Sequence, residues 1–168
     1  WDLRFGNKCN LACRSCGPTD SDQWYDDWAK WEEKNSFAYR DIGDVEIIYD
    51  DKGKATVDKS IFNWYDDSPL WKLIEDSLDE IKMFYFTGGE PTINVKHREL
   101  LQIIIDRGFA QNIILHYNTN MAGIPNIIFK FWKEFKEVHL GMSIDGIYEH
   151  FEYIRHLGKW EKAYKSIC

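Results

Sequence analysis

The sequence predicts an α/β fold built on a parallel sheet, and three observations predict it. Apolar strands of roughly six residues alternate with helical stretches from Ile81 onward. These strands read as nearly continuous apolar runs, the pattern of strands covered on both faces. Each ends in small or polar residues, and in parallel sheets such ends gather on one rim.

The elements follow in chain order. WDLRF (Trp1–Phe5) alternates and predicts a first strand that enters a cysteine loop. After Pro18, Thr19 to Asp22 supply helix-start residues. Trp24, Trp28 and Trp31 then recur at i, i+4 and i+7, a stripe that reads as core packing. VEIIYDDKGKATV (Val45–Val57) alternates on both sides of a Gly53 turn and predicts an inserted β-hairpin. SPLWKLIEDSLDEI (Ser68–Ile81) predicts a helix capped by Ser68, with Pro69 in its first position. IKMFYFTGGEPT is the second sheet strand and ends in a glycine turn; NVKHRELLQIIIDRG is a helix stopped by Gly108. NIILHYNTN is the third strand, IPNIIFKFWKEFK a helix started at Pro125, EVHLGMSIDG the fourth strand, and GKWEKAYKSIC a closing helix. Such units imply right-handed βαβ connections. With no internal repeat, low-complexity segment or linker, residues 1–168 read as one domain.

Composition narrows the function classes. An apolar fraction of 44% is that of a globular chain. A net charge of -7 argues against general affinity for nucleic acid or anionic membrane, which needs clustered Lys and Arg. The acidic pairs Asp26-Asp27, Asp50-Asp51 and Asp66-Asp67 read as solvated surface. No apolar run approaches the length of a membrane span, and no secretory signal pattern is visible. The chain begins at Trp1 rather than Met, which reads as a piece cut from a longer protein.

Three of the four cysteines, Cys9, Cys13 and Cys16, stand at C-x-x-x-C-x-x-C spacing, and Cys168 reads as a free thiol. Clustered thiols suggest a metal and a reducing, cytoplasmic setting rather than a disulfide framework. Zinc wants a fourth ligand. No histidine lies close in sequence, and none of the five forms a close pair with another. A ferredoxin-type electron carrier saturates its cluster with four cysteines. Three thiolates on a four-iron cube instead leave one iron open to a small molecule. At the second strand's end, Gly88-Gly89 permits close backbone approach and Glu90 presents a carboxylate suited to an ammonium, while Pro91 stiffens the turn.

CNLACRSC followed by GGEP resembles the radical S-adenosylmethionine (SAM) superfamily. DLRFGNKCNLACRSCGP, FTGGEPT, NTN and SIDG together, each at a strand end, resemble its peptide-modifying branch, in which the core precedes a twitch or SPASM domain. The resemblance covers nearly the whole chain. It implies a partial (β/α) TIM-like barrel, of which about four core βα units are present, so that the chain is the front part of a larger enzyme. An open sheet lacking two strands exposes apolar edges and tends to be unstable or inactive alone.

The resemblance further implies that Cys9, Cys13 and Cys16 hold a 4Fe-4S cluster and that SAM chelates the open iron. Reductive cleavage of SAM then gives a 5′-deoxyadenosyl radical that abstracts hydrogen from a substrate. By motif match, Gly88, Gly89 and Glu90 hold the methionyl amino group, Ser143 faces the ribose or carboxylate, and Asp145 shapes that turn. Thr119 and Asn120 line the rim, and Arg155 reaches the SAM carboxylate. Tyr117 and His116 fall in the core or behind the site. The implied partners are a peptide, protein or small-molecule substrate and a reductant such as flavodoxin or ferredoxin. One departure stands out: family loops carry an aromatic or large apolar residue before the third cysteine, covering the adenine side, and here that residue is Ser15. The rival class is a structural zinc or interaction module, which leaves GGEP and SIDG unexplained.

Overall fold

A computed structural model describes residues 1–34, 47–53, 55–58 and 62–168. It is a mixed α/β structure with a parallel sheet of four strands. The elements are β1 (Asp2–Arg4), α1 (Tyr25–Lys34), β2 (Ile47–Tyr49), β3 (Ala55–Val57), α2 (Leu70–Asp76), β4 (Met83–Thr87), α3 (Val95–Asp106), β5 (Ile114–Thr119), α4 (Asn126–Trp132), β6 (Glu137–Met142), α5 (Tyr148–Ile154) and α6 (Trp160–Ile167). Strands β1, β4, β5 and β6 lie side by side in that order, all parallel. Strands β2 and β3 pair antiparallel as the expected hairpin, of which Val45, Glu46 and Lys54 lie outside the described residues.

The register explains the core. Leu3, Phe86, Tyr117 and Leu140 form one lateral row, and Phe84, Leu115 and Val138 the next. These side chains share one face of the pleat. They pack with Ile74 of α2, Leu100, Leu101 and Ile104 of α3, and Ile128 of α4. The opposite face carries a different row, Asp2, Tyr85, His116 and His139, with Met83, Asn118 and Glu137 beside it. Asp2, Asn118, Glu137 and His139 are exposed. The expectation that both faces are covered is therefore corrected. Tyr85 and His116 lengthen the apolar run by letter, yet each carries a polar tip, and the true pattern is an alternation.

Local chemistry sets the element ends. Ser21 accepts from Gln23 N–H at 3.2 Å and starts a short 3-10 turn that runs into α1. Over residues 24–31, Tyr25 and Ala29 are buried, whereas Trp24 and Trp28 are half-buried and Trp31 is exposed. The tryptophan stripe is thus not the core face. That face lies one residue on, where the Tyr25 hydroxyl meets Asn7 Nδ2. Ser68 Oγ accepts from Leu70 N–H at 3.2 Å as expected, but Pro69 takes the N-cap position, and the helix runs from Leu70 and ends at Asp76 rather than Ile81. The remaining residues turn instead, with Glu80 N–H and Ile81 N–H both donating to Ser77 O. Helix α5 is an element the sequence pattern did not predict. All six residues of the acidic pairs are exposed, as expected.

Candidate functional site

The cysteine loop is held by the ends of its neighbours. On one side Cys9 N–H donates to Asp22 Oδ1 at 3.0 Å, Gln23 Nε2 to Cys9 O at 3.1 Å, and Trp24 Nε1 to Cys13 O at 3.2 Å. On a second side Gly89 N–H donates to Gly6 O at 3.2 Å and Glu90 N–H to Lys8 O at 2.8 Å. On a third, Asn120 Nδ2 donates to Asn10 Oδ1 at 2.9 Å, and Asn10 Nδ2 to Ala122 O at 2.5 Å. On the fourth, Arg14 N–H donates to Ile154 O at the end of α5 and Ala12 N–H to His156 O just past it. Loop backbone that satisfies its polar groups in this way keeps one shape.

A cavity of about 310 Å³ opens over this loop. Its walls include Cys9, Cys13 and Cys16, Gly88 and Gly89 past β4, Asn118, Thr119 and Asn120 at the end of β5, Ser143 past β6, and Arg155. Its size falls at the lower end of small-molecule sites. Nine of the twelve residues singled out from sequence line this space, and the other three stand behind its wall. Glu90 and Pro91 are buried and off the cavity wall, and Asp145 stands behind Arg155, its carboxylate 2.6 Å from the guanidinium. Ser15 lines the cavity beside Cys16.

The glycine pair answers first to packing. A Cβ at Gly88, whose φ is +115°, would stand 2.7 Å from Gly6 O, and one at Gly89 would run into Lys8 O. Close approach of the cysteine loop to the end of β4 therefore demands glycine at both positions. Glu90 is 2% exposed. Its carboxylate accepts from Thr92 N–H at 3.2 Å, Thr92 Oγ1 at 2.6 Å, Thr119 Oγ1 at 2.9 and 3.0 Å, and Asn120 N–H at 2.8 Å. Burial pushes its pKa up, and the donors of Thr92, Asn120 and Thr119 pull it back. Glu90 as placed here ties the ends of β4 and β5 together.

The thiols differ. Cys9 and Cys13 are buried, and Cys16 is half-buried. Burial pushes the Cys9 pKa up. Cys13 is pulled down by its hydrogen bond with Cys16 and by the Arg155 guanidinium, while Cys16, the donor of that pair, is pushed up. No disulfide joins any of the four cysteines. Among the described residues, no three His, Cys, Asp or Glu side chains converge as the ligands of a single metal ion do. A four-iron cube asks something else, thiolates spread over its corners with a further ligand on the remaining iron. The donor set fits that demand in kind: three thiols on one loop, and an Arg155 whose buried Nε has no partner among the described residues. An orphaned guanidinium N–H on a cavity wall suits an anionic ligand such as a carboxylate.

Sequence reasoning gave no site role to Asn10, Asn118 or Asp22. Asn118 lines the cavity and donates to Tyr85 Oη at 2.6 Å, which joins the site to the open sheet face. The alternation of β5 carries that signal, since Asn118 shares a face with His116. His116 and Tyr117 split accordingly: Tyr117 is fully buried in the core, and His116 sits on the open face with its ring 4.9 Å from that of Tyr85. Among the described residues no helix is long and apolar enough to cross a membrane. Compared with family models, curated proteins and solved structures, the chain matches none.

Proposed function

We propose that this chain is a radical SAM core: part of a partial (β/α) TIM-like barrel, acting in a reducing, cytoplasmic setting, that holds a 4Fe-4S cluster and SAM. One observation carries the reading. A single cavity gathers three thiols from the loop after β1 with the polar ends of β4, β5 and β6. When bound and reduced by an external one-electron donor such as flavodoxin or ferredoxin, the cluster would supply the reductive cleavage of SAM that initiates hydrogen abstraction from a peptide, protein or small-molecule substrate.

The chain's own residues have defined tasks in this reading. Cys9, Cys13 and Cys16 are the cluster ligands, and the fixed loop backbone holds them without help from a fourth cysteine. Arg155, whose Nε has no partner among the described residues, would hold the SAM carboxylate, and Asp145 fixes the guanidinium plane. Ser143, Thr119 and Asn120 offer hydroxyl and amide groups on the same wall. Gly88 and Gly89 keep the wall thin and would let the amino end of SAM approach the backbone, and Glu90, with Pro91 stiffening the turn behind it, orders the rim from below. Leu11 and the buried loop around Cys9 and Cys13 keep water from the cluster side.

Anaerobic reconstitution with iron and sulfide tests the reading, followed by absorbance and EPR spectroscopy of the dithionite-reduced protein. A 4Fe-4S signal that changes on adding SAM is the expected result. A chain that takes up stoichiometric zinc and no cluster, or a Cys9→Ala variant with an unchanged cluster signal, overturns it.

A further inference from the structure

Two of the three thiols are met by N–H donors from outside the cysteine loop. Asn120 Nδ2 lies 3.8 Å from Cys9 Sγ, and Arg155 Nη1 lies 3.5 Å from Cys13 Sγ. Both donors are anchored by other contacts. Asn120 Oδ1 accepts from Ala122 N–H at 2.8 Å, and Asn120 Nδ2 also donates to Asn10 Oδ1 at 2.9 Å. Arg155 Nη2 stands 2.6 Å from Asp145 Oδ2. The two come from different places in the fold, the end of β5 and the residue after α5. Neither contact is needed to form the loop, whose backbone is already held by other groups.

A metal-bound thiolate keeps lone pairs that accept hydrogen bonds. Each such bond, and each nearby cation, stabilises negative charge on the cluster. Reduction adds one electron and so one unit of negative charge. Donors to the sulfurs therefore favour the reduced state, and burial of Cys9 and Cys13 makes the effect larger than in water. We infer that Asn120 and Arg155 are positioning residues that raise the reduction potential of the cluster held by Cys9, Cys13 and Cys16. This rests on the radical SAM reading. The electron itself comes from an external one-electron reductant of the flavodoxin or ferredoxin class. Arg155 acts through charge and N–H together, Asn120 through its amide dipole alone.

The test is an EPR-monitored redox titration of the anaerobically reconstituted chain, without SAM. Asn120→Asp keeps the acceptor for Ala122 N–H and replaces the donor to sulfur with a charged oxygen. Arg155→Met removes charge and N–H, and Arg155→Lys restores charge alone. The midpoint is expected to fall in Asn120→Asp and in Arg155→Met by about tenfold in the one-electron equilibrium, about 59 mV each. Arg155→Lys recovers part of the loss. Asn10→Ala, which breaks the Asn120 anchor and removes the Asn10 Oδ1 that lies 3.9 Å from Cys9 Sγ, takes away an acceptor and no donor, and so does not lower the midpoint. Intact clusters with unmoved midpoints in Asn120→Asp and Arg155→Met overturn the inference and leave the radical SAM reading standing. So does an Asn10→Ala midpoint that falls as far as that of Asn120→Asp, because disturbed structure then accounts for both. Should Asn120→Asp take up no cluster, Arg155→Met against Arg155→Lys decides alone. An unsubstituted chain without a cluster overturns both the inference and the reading beneath it.

Discussion

Glu90 is a carboxylate held almost wholly by donors. Two backbone N–H groups and two hydroxyls point at it, from Thr92, Thr119 and Asn120. Glu90→Gln keeps the shape but must turn an amide NH2 toward Thr92 N–H or toward Asn120 N–H. One buried backbone donor then loses its acceptor, which costs about 1–3 kcal/mol. Urea unfolding of the variant should show a lower midpoint with an unchanged slope. An unmoved midpoint would show that the carboxylate does not hold both strand ends. At this scale the sequence was legible where the signal is local. The cysteine spacing, the glycine pair and the polar strand ends are each contained in a few residues, and all reach one cavity except Glu90, Pro91 and Asp145. The partners of Glu90 were not legible, because Thr119 and Asn120 stand some thirty residues further along the chain. The same holds for the packing demand on Gly88 and Gly89, which arises from the distant loop of Gly6 to Lys8.

Helix α3 shows how one cap joins elements. Asn94 Oδ1 accepts from Lys96 N–H at 2.8 Å and His97 N–H at 3.4 Å, while its Nδ2 donates to Tyr65 Oη at 3.2 Å and Phe5 O at 3.4 Å. The acceptor side is the N-cap that an Asn before a helix predicts. The donor side ties α3 to β1's end and to the segment before α2. Asn94→Asp keeps the cap and loses the donors, whereas Asn94→Ala loses both. Chemical denaturation should place Asn94→Ala about 1–2 kcal/mol below Asn94→Asp, the usual worth of an N-cap. Equal stabilities would mean that the cap contributes nothing here. Element existence was largely readable, because strands and helices of this length carry clear periods. The misreadings have physical causes. Helix α5 is a single short segment between two loops, and its one fully buried residue, Phe151, gives no period to read. The tryptophan stripe matched a helical period, but Tyr25 and Ala29 are the residues turned inward.

Across the whole molecule the sheet divides two environments, and the placement of histidines follows that division. His116 and His139 share the open face, their ring centroids 6.0 Å apart. His97 lies on the covered side, fully buried, with rings of Phe86 at 4.7 Å, Tyr117 at 5.4 Å and Phe5 at 6.0 Å around it. Its Nε2 and Tyr117 Oη are 2.9 Å apart, and its Nδ1 has no partner among the described residues. No short motif marks His97 as a core residue; only the α3 face shared with Leu100, Leu101 and Ile104 does. Burial, with the nearby Arg98 charge, depresses its pKa to about 3 from 6.5. The sign follows from proton counting. Between pH 6.5 and about 3 the unfolded chain binds a proton at His97 that the folded chain refuses. Stability therefore falls as the pH drops through that window, by up to several kcal/mol. Glu90, with its pKa raised by burial, works the other way: the folded state holds its proton more readily, so acidification relieves a cost there. Subtracting one pH series from another isolates His97. Unfolding free energies of the native chain and of His97→Phe, measured from pH 7 to pH 4, should differ by an amount that changes with pH, the variant losing less stability on acidification. Parallel curves would place the proton uptake of acid unfolding on other groups and leave His97 with a packing role alone.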